Sequence, residues 1–286
     1  MIKPPTISTR VMDALSSSPS SVNSAAPITS FNKIPWRKST TKYTNNEIYF
    51  DIIEYINLII DKDKHIVHSS LTGNVHTKCY LQGVPDITLH FVGLDNVDHC
   101  SLHHSVRISR FERDGILSLI PPDNEFVLLS YQKNNISAKI PININPYFIF
   151  DNDATKFSIH LSNVTDPSTS SLSITDVSIQ ITIPVEAVKV NATSKSGTIK
   201  EDLIRHILYW NISKLQRRST MILEGSFIYD TNHFSFERPV ITVQFEAKHY
   251  SISNVTIDGL VIQNVTYSPA RGIRSTVRVN NFQIRT

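Results

Sequence analysis

Ser173–Ile183 reads SITDVSIQITI, and within it Val177, Ile179, Ile181 and Ile183 fall on every second position. A strand sends successive side chains to opposite faces, so this alternation lines one face with branched apolar groups and leaves the other polar. A helix would scatter the same residues around its circumference. Val240–Phe245 (VITVQF) and Asn254–Ile262 (NVTIDGLVI) have the same character. Past residue 45, short runs rich in Ile, Val, Tyr, Phe and Thr recur between turn formers. Many short strands with few helical stretches predict an all-β fold of the β-sandwich kind. Two stretches are ambiguous. Ile52, Ile53, Ile56, Ile59 and Ile60 fit a helical face as well as a buried strand, and residues 201–218 fit an amphipathic helix. The β-branched isoleucines of 48–60 favour strand there.

A chain of 286 residues is long enough to bury a full core. Its 40% hydrophobic and 19% charged content are ordinary for a globular protein. The net charge of +3 favours an acidic membrane surface weakly and is no nucleic-acid signature. Cys79 and Cys100 are the two cysteines, which argues against a disulfide scaffold and for a reducing compartment. The opening MIKPPTISTRVMDALSSSPSS lacks the apolar core of a secretory signal. No stretch approaches the roughly 20 apolar residues of a membrane-spanning helix. The expectation is a soluble intracellular protein. Residues 1–32, rich in Ser and Pro and without periodicity, read as a disordered linker.

Asn-x-Ser/Thr sequons occur at Asn135, Asn163, Asn191, Asn211, Asn254 and Asn264. Without a secretory signal they reflect an Asn/Ser/Thr-rich composition; the rival they motivate is an extracellular carbohydrate-binding sandwich. No Gly-x-Ser-x-Gly, P-loop or His-Glu-x-x-His motif is present. Asp98-His99-Cys100 with His103-His104 resembles a ligand cluster, but the spacing fits no closed zinc pattern. No catalytic residue, cofactor or metal is expected.

The function-bearing stretch is Ile34–Asp51, IPWRKSTTKYTNNEIYFD. On a strand, Tyr49 and Asp51 share one side while Phe50 points to the other. Gly272-Ile273-Arg274 repeats the layout, with a small residue and a cation on one side and an apolar residue on the other. Two such edges suit an extended peptide whose alternate side chains are read in turn. Side chains three apart on a strand face opposite ways, so a bound peptide would meet a polar, aromatic surface on one flank and an apolar one on the other. Tyr49, Asp51 and Arg274 suit the first; Phe50 and Ile273 lie on the second.

The PWR…KYTNNE…YFD run resembles the opening of the mu-homology domain in medium (mu) subunits of clathrin-adaptor-type complexes, most closely that of the third adaptor-protein complex. Three more stretches agree: Leu102–Phe111 (LHHSVRISRF), Ile120–Tyr131 (IPPDNEFVLLSY) and Phe282–Thr286 (FQIRT). Together the resemblance covers residues 33–286. It implies a two-subdomain β-sandwich with the second sandwich inserted into the first: subdomain A over 45–138 and 251–286, subdomain B over 139–250. It also makes both ambiguous segments mainly strands. Pro121-Pro122-Asp123-Asn124 becomes a tight turn, with Asn124 taking the usual glycine's left-handed position.

The resemblance implies recognition of a Tyr-x-x-Φ sorting signal (Φ a bulky apolar residue), and residue by residue it sets Tyr49 against the signal tyrosine, with Asp51 accepting its hydroxyl proton. Lys78 would support that carboxylate, and Arg274 would stack over the phenol. Phe50, Ile257, Leu260 and Ile273 match the Φ pocket. Gly272 stands where the plasma-membrane adaptor's medium subunit has tryptophan, which implies weaker or differently selective binding. Arg271 reads as a solvated residue. The partners implied are cytosolic tails of transmembrane cargo and the other adaptor subunits, two large and one small. Membrane association would be peripheral, on Golgi and endosomal membranes serving lysosome or vacuole, with phosphoinositide contact permitted and no nucleic acid. The rival within the same fold is a scaffold or coat component that has lost signal binding. The family also places a small longin-like domain before the linker. None is read here, and a truncated chain, a fragment or an unusual form all remain open.

Overall fold

The computed structural model describes residues 34–136, 140–163, 171–217, 219–230 and 238–286. The linker expected over 1–32 lies outside them. In chain order the first strands are β1 (Glu47–Ile60), β2 (Ile66–Tyr80), β3 (Asp86–Val92), β4 (His99–Leu102), β5 (Ile116–Leu119) and β6 (Asn124–Asn134). Next come β7 (Ile142–Phe150), β8 (Ala154–Asn163), β9 (Ser173–Thr182), β10 (Ala187–Ser194) and β11 (Thr198–Asp202). The last are β12 (Ile207–Leu215), β13 (Thr220–Tyr229), β14 (Val240–Lys248), β15 (Thr256–Gln263) and β16 (Ala270–Arg285). Among the described residues one short α-helix, α1 (Ile108–Asp114), and a 3-10 turn at Leu94–Asn96 interrupt them. The protein is an all-β sandwich, and no helix among the described residues is long and apolar enough to cross a membrane.

A nine-stranded sheet runs in the order β11-β12-β9-β14-β16-β1-β2-β6-β4. A four-stranded sheet (β10-β13-β8-β7) and a three-stranded one (β15-β3-β5) complete the fold. Strands β7 to β14 fall between β6 and β15 in the chain and supply the whole four-stranded sheet and one arm of the large one. That order supports the proposal of a sandwich at 139–250 inserted into one over 45–138 and 251–286. The β1–β16 pair is parallel. A parallel pair needs a crossover, and here nearly the whole chain intervenes.

Both ambiguous segments are strand. In β1 the even positions from Ile48 to Leu58 are buried and the odd ones partly exposed. The second segment resolves into the end of β11, a turn, and β12 with Leu208, Trp210 and Ile212 inward. Three of the sequon asparagines, Asn135, Asn254 and Asn264, adopt positive φ, so they serve as turn residues that tolerate the left-handed region. Asn124 does the same at φ 68°, as expected.

Glu54 breaks the apolar rule of the β1 inner face, being only 1% exposed. Its carboxylate accepts from Tyr131 Oη at 2.8 Å, Ser251 Oγ at 2.9 Å, the Ile252 amide at 2.6 Å and the Ser253 amide at 3.3 Å. Register explains the reach: Glu54 pairs with Gly73, which pairs with Tyr131. A Cβ on Gly73 would lie 2.0 Å from Tyr131 Cζ, so only glycine lets the phenol cross the middle strand.

Arg37, from the PWR segment, is a second buried charge. It donates through Nε to Gly83 O at 2.7 Å, through Nη1 to Pro121 O at 3.1 Å, and through Nη2 to Leu81 O. One guanidinium, with its fixed fork of donors, thereby ties the segment ahead of β1 to the β2–β3 and β5–β6 turns. Trp36 adds a bond from Nε1 to Ile120 O at 2.9 Å.

Candidate functional site

The parallel β1–β16 register sets Tyr49 beside Gly272, Phe50 beside Ile273 and Asp51 beside Arg274. Two segments separated by most of the chain are thus direct neighbours, and their matching alternation points the same way. On its other side β16 pairs with β14, and the last residue of that ladder is Thr276, opposite Lys248. Among the described residues no strand pairs with the 270–274 edge opposite β1. It presents unmatched main-chain groups, guarded by the exposed cations Arg271 and Arg274.

On the outer face Arg274 grips Asp51 through two bonds, Nε to Oδ1 at 2.7 Å and Nη2 to Oδ2 at 3.0 Å. The Arg274 side chain is 67% exposed and that of Asp51 18%. An exposed pair of this kind contributes about 0.2–1 kcal/mol, and a carboxylate keeps further lone-pair sites beside a bidentate arginine. A hydroxyl donor therefore meets little resistance. Lys78 faces Tyr49 across β2, but its ammonium bonds Glu125 Oε1 at 2.8 Å. Its pKa is raised chiefly by that bond, with Asp51 a lesser contributor through space. Lys78 thus acts on Asp51 through space only, and its contact partner is Glu125.

Tyr49 donates to Glu47 Oε2 at 3.2 Å, which raises its pKa. The Tyr49 ring lies over Gly272, where an added Cβ would come within 3.1 Å of Tyr49 Cδ1. The tyrosine ring fills the space above the glycine, so an aromatic wall exists without a tryptophan at 272.

On the opposite flank, β15 and the start of β16 enclose a cavity of about 400 Å³. Ile257, Leu260 and Ile273 line it, together with Gly259, Gly272 and Arg271. Leu260 is half-buried and Ile273 is 42% exposed, so apolar surface is open to an incoming side chain. Phe50 differs from the expectation. At 1% exposure it belongs to the core and is not part of the cavity lining, because β1 is a central strand whose inner face is covered. Arg271 is exposed, as expected, and in addition donates to Leu260 O at 3.4 Å beside the cavity.

Sequence reasoning missed Glu47 and Glu125. Glu47 was legible, since it alternates with Tyr49 and Asp51; Glu125 was not, because only the β2–β6 register brings it to Lys78. In the stretch Asp98 to His104, His103 Nδ1 lies 2.8 Å from Ser105 Oγ and its ring packs on His104 and Phe126. Among the described residues Asp61, Asp63 and His65 come together, and Asp61 there caps the β1–β2 turn by accepting the Asp63 and His65 amides.

Comparison with known proteins identifies this architecture. The profile of the adaptor complexes medium subunit family matches residues 34–286. AP-3 complex subunit mu of Dictyostelium discoideum is 35% identical over 292 residues, aligned across 100% of this chain and 68% of that protein. AP-3 complex subunit mu-2 of Homo sapiens is 31% identical over 290 residues, with coverage of 100% and 68%. A solved yeast delta-COP-I mu-homology domain has the same fold, with a TM-score of 0.64 at 16% identity over 85% of this chain and 100% of that domain. The chain belongs to the adaptor complexes medium subunit family, and as such is a sorting subunit of vesicle transport and not an enzyme.

Proposed function

We propose that this chain binds Tyr-x-x-Φ sorting signals in the cytosolic tails of membrane proteins by strand addition to the free 270–274 edge of β16. The observation that carries the reading is the register of Tyr49, Phe50 and Asp51 against Gly272, Ile273 and Arg274. It sets a polar aromatic surface on one flank of that edge and, on the other, an open cavity lined by Ile257, Leu260 and Ile273, with Asp258 and Arg271 also contributing. A bound tail lays its phenol on Tyr49 and the Arg274 guanidinium, donates its hydroxyl to Asp51, and drops Φ between Ile257, Leu260 and Ile273. The sorting route is membrane cargo leaving Golgi or endosomes for lysosome or vacuole, with two large and one small adaptor chains as partners.

Magnitudes suit a transient sorter. A hydrogen bond to a charged acceptor contributes about 1.5–3 kcal/mol and a buried leucine side chain about 1.5–3 kcal/mol. After the ordering cost of a flexible tail, micromolar affinity results, with avidity on a membrane supplying the remainder. The deciding experiment is a titration of labelled Tyr-x-x-Leu and Phe-x-x-Leu peptides against the wild type and Asp51→Ala. The wild type prefers tyrosine by about tenfold or more, and Asp51→Ala abolishes the preference. Equal binding of both peptides by the wild type sinks the reading.

A second reading keeps the fold as a scaffold or coat component without signal binding. It is favoured by one contact, the two-bond closure of Arg274 on Asp51, and absence of any peptide binding would select it.

A further inference from the structure

Some ten residues further along β16, roughly 30 Å at the rise of a strand, a second concavity opens. It lies where the β1–β2 turn, β7 and the end of β16 meet, with a volume of about 520 Å³. Ile144, Phe148, Phe150 and Ile284 contribute its apolar surface. Phe148 and Phe150 are half-buried, with near-parallel rings 6.0 Å apart. The border is cationic: Lys62, Lys64, Arg238 and Arg285, all exposed. The Arg238 guanidinium stands 5.5 Å over the Phe150 ring, and the Lys64 ammonium 5.9 Å over the exposed Tyr147 ring. Among the described residues two carboxylates, Asp61 and Asp63, share the border with these four cations; Asp61 also caps the turn, accepting the Asp63 amide at 2.9 Å and the His65 amide at 2.8 Å, and the cations remain in excess.

We propose that this groove receives an acidic peptide segment of a partner protein, with bulky apolar side chains on the aromatic floor and carboxylates against Lys62, Lys64, Arg238 and Arg285. A phosphate headgroup would satisfy the border and leave the floor exposed. A purely apolar segment would cover the floor and bury cations without partners, which is costly. A chain carrying both kinds of side chain satisfies both surfaces. The first 33 residues of this chain have the wrong sign, with Lys3, Arg10 and Lys33 against Asp13. Pro146 in β7 lacks an amide donor, a feature that blunts an edge strand. The segment therefore inserts side chains and does not extend the sheet.

The test is fluorescence anisotropy of the whole chain with a labelled probe peptide, Asp-Asp-Leu-Phe-Asp-Asp-Leu. Two control peptides carry Lys for every Asp, or Ser for Leu and Phe, and vesicles of phosphatidylcholine with phosphatidylserine are run in parallel. The acidic probe binds, both controls lose affinity, and added salt weakens binding. The double variant Lys64→Glu/Arg238→Glu weakens the probe by at least about tenfold, Arg285→Gln weakens it less, and both retain the wild-type melting curve. Asp51→Ala leaves the probe unaffected, which separates this groove from the signal site. Failure of the probe to bind, equal binding of either control, or indifference to the charge-altering variants overturns the proposal. Vesicle binding lost in the double variant without probe binding assigns the groove to a membrane and overturns it as well.

Discussion

Gly272 shows what a missing side chain does on a strand: the Tyr49 ring lies across the glycine and takes up the space a side chain would fill. An added methyl must push that ring, since its Cβ would sit 3.1 Å from Cδ1 and 3.4 Å from Cε1. Gly272→Ala is expected to lower Tyr-x-x-Leu affinity by about two- to tenfold without moving the thermal midpoint. Peptide titration beside a melting curve checks both halves. Tyr43 offers a residue-level prediction of another kind. Burial first, and then its 2.9 Å bond to Asp123 Oδ1, push its pKa from 10.0 up to about 12. The folded state thus favours the neutral phenol. Its stabilising contribution is complete below the unfolded value of 10.0 and is lost as pH climbs through about 12. A difference absorbance titration between wild type and Tyr43→Phe should isolate one phenol ionising in that window. A difference step near pH 10 would contradict it.

At the scale of elements, the row Glu54–Gly73–Tyr131 staples β1, β2 and β6 together and holds the 251–253 segment that leads into β15. Tyr131→Phe removes a hydrogen bond to a buried carboxylate and is expected to cost about 1.5–3 kcal/mol in urea unfolding. A cost within a few tenths would mean water replaces the phenol. Elements were legible in proportion to their periodicity. The alternation of Val177 to Ile183 announced β9, because a half-buried strand writes its burial into every second residue; β1 was ambiguous by period, its isoleucines fitting a helical face as well, and β-branching and resemblance decided it. Helix α1 was not legible. It spans seven residues with no buried side chain and ends at Gly115, φ 67°. A helix that buries no stripe leaves no 3.6-residue pattern to read. The cavity was half legible for a related reason: Ile257, Leu260 and Ile273, named from resemblance, line it together, whereas the covering of Phe50 depends on β1 being central, which no local pattern records.

For the whole molecule, the governing fact is that β1 and β16 are partners in the middle of a nine-stranded sheet. Local turns cannot form this pair; it closes only after the intervening chain is in place. Folding dominated by such distant pairings is slow, and refolding from denaturant is expected to take on the order of seconds or longer. A variant ending at Pro269 should lose more than the binding edge. Without β16, strands β14 and β1 have no common neighbour, so circular dichroism and a melting curve should show loss of cooperative unfolding, and a retained sharp transition would refute this dependence. Synthesis on the ribosome inherits the same constraint. A product halted before Arg274 has emerged carries Tyr49 and Asp51 with nothing to oppose them, so on the signal-binding proposal an interrupted translation yields no half-active sorter able to sequester cargo. Competence to select would then arrive only once β16 is made and seated, as though the edge were proofread by its own topology.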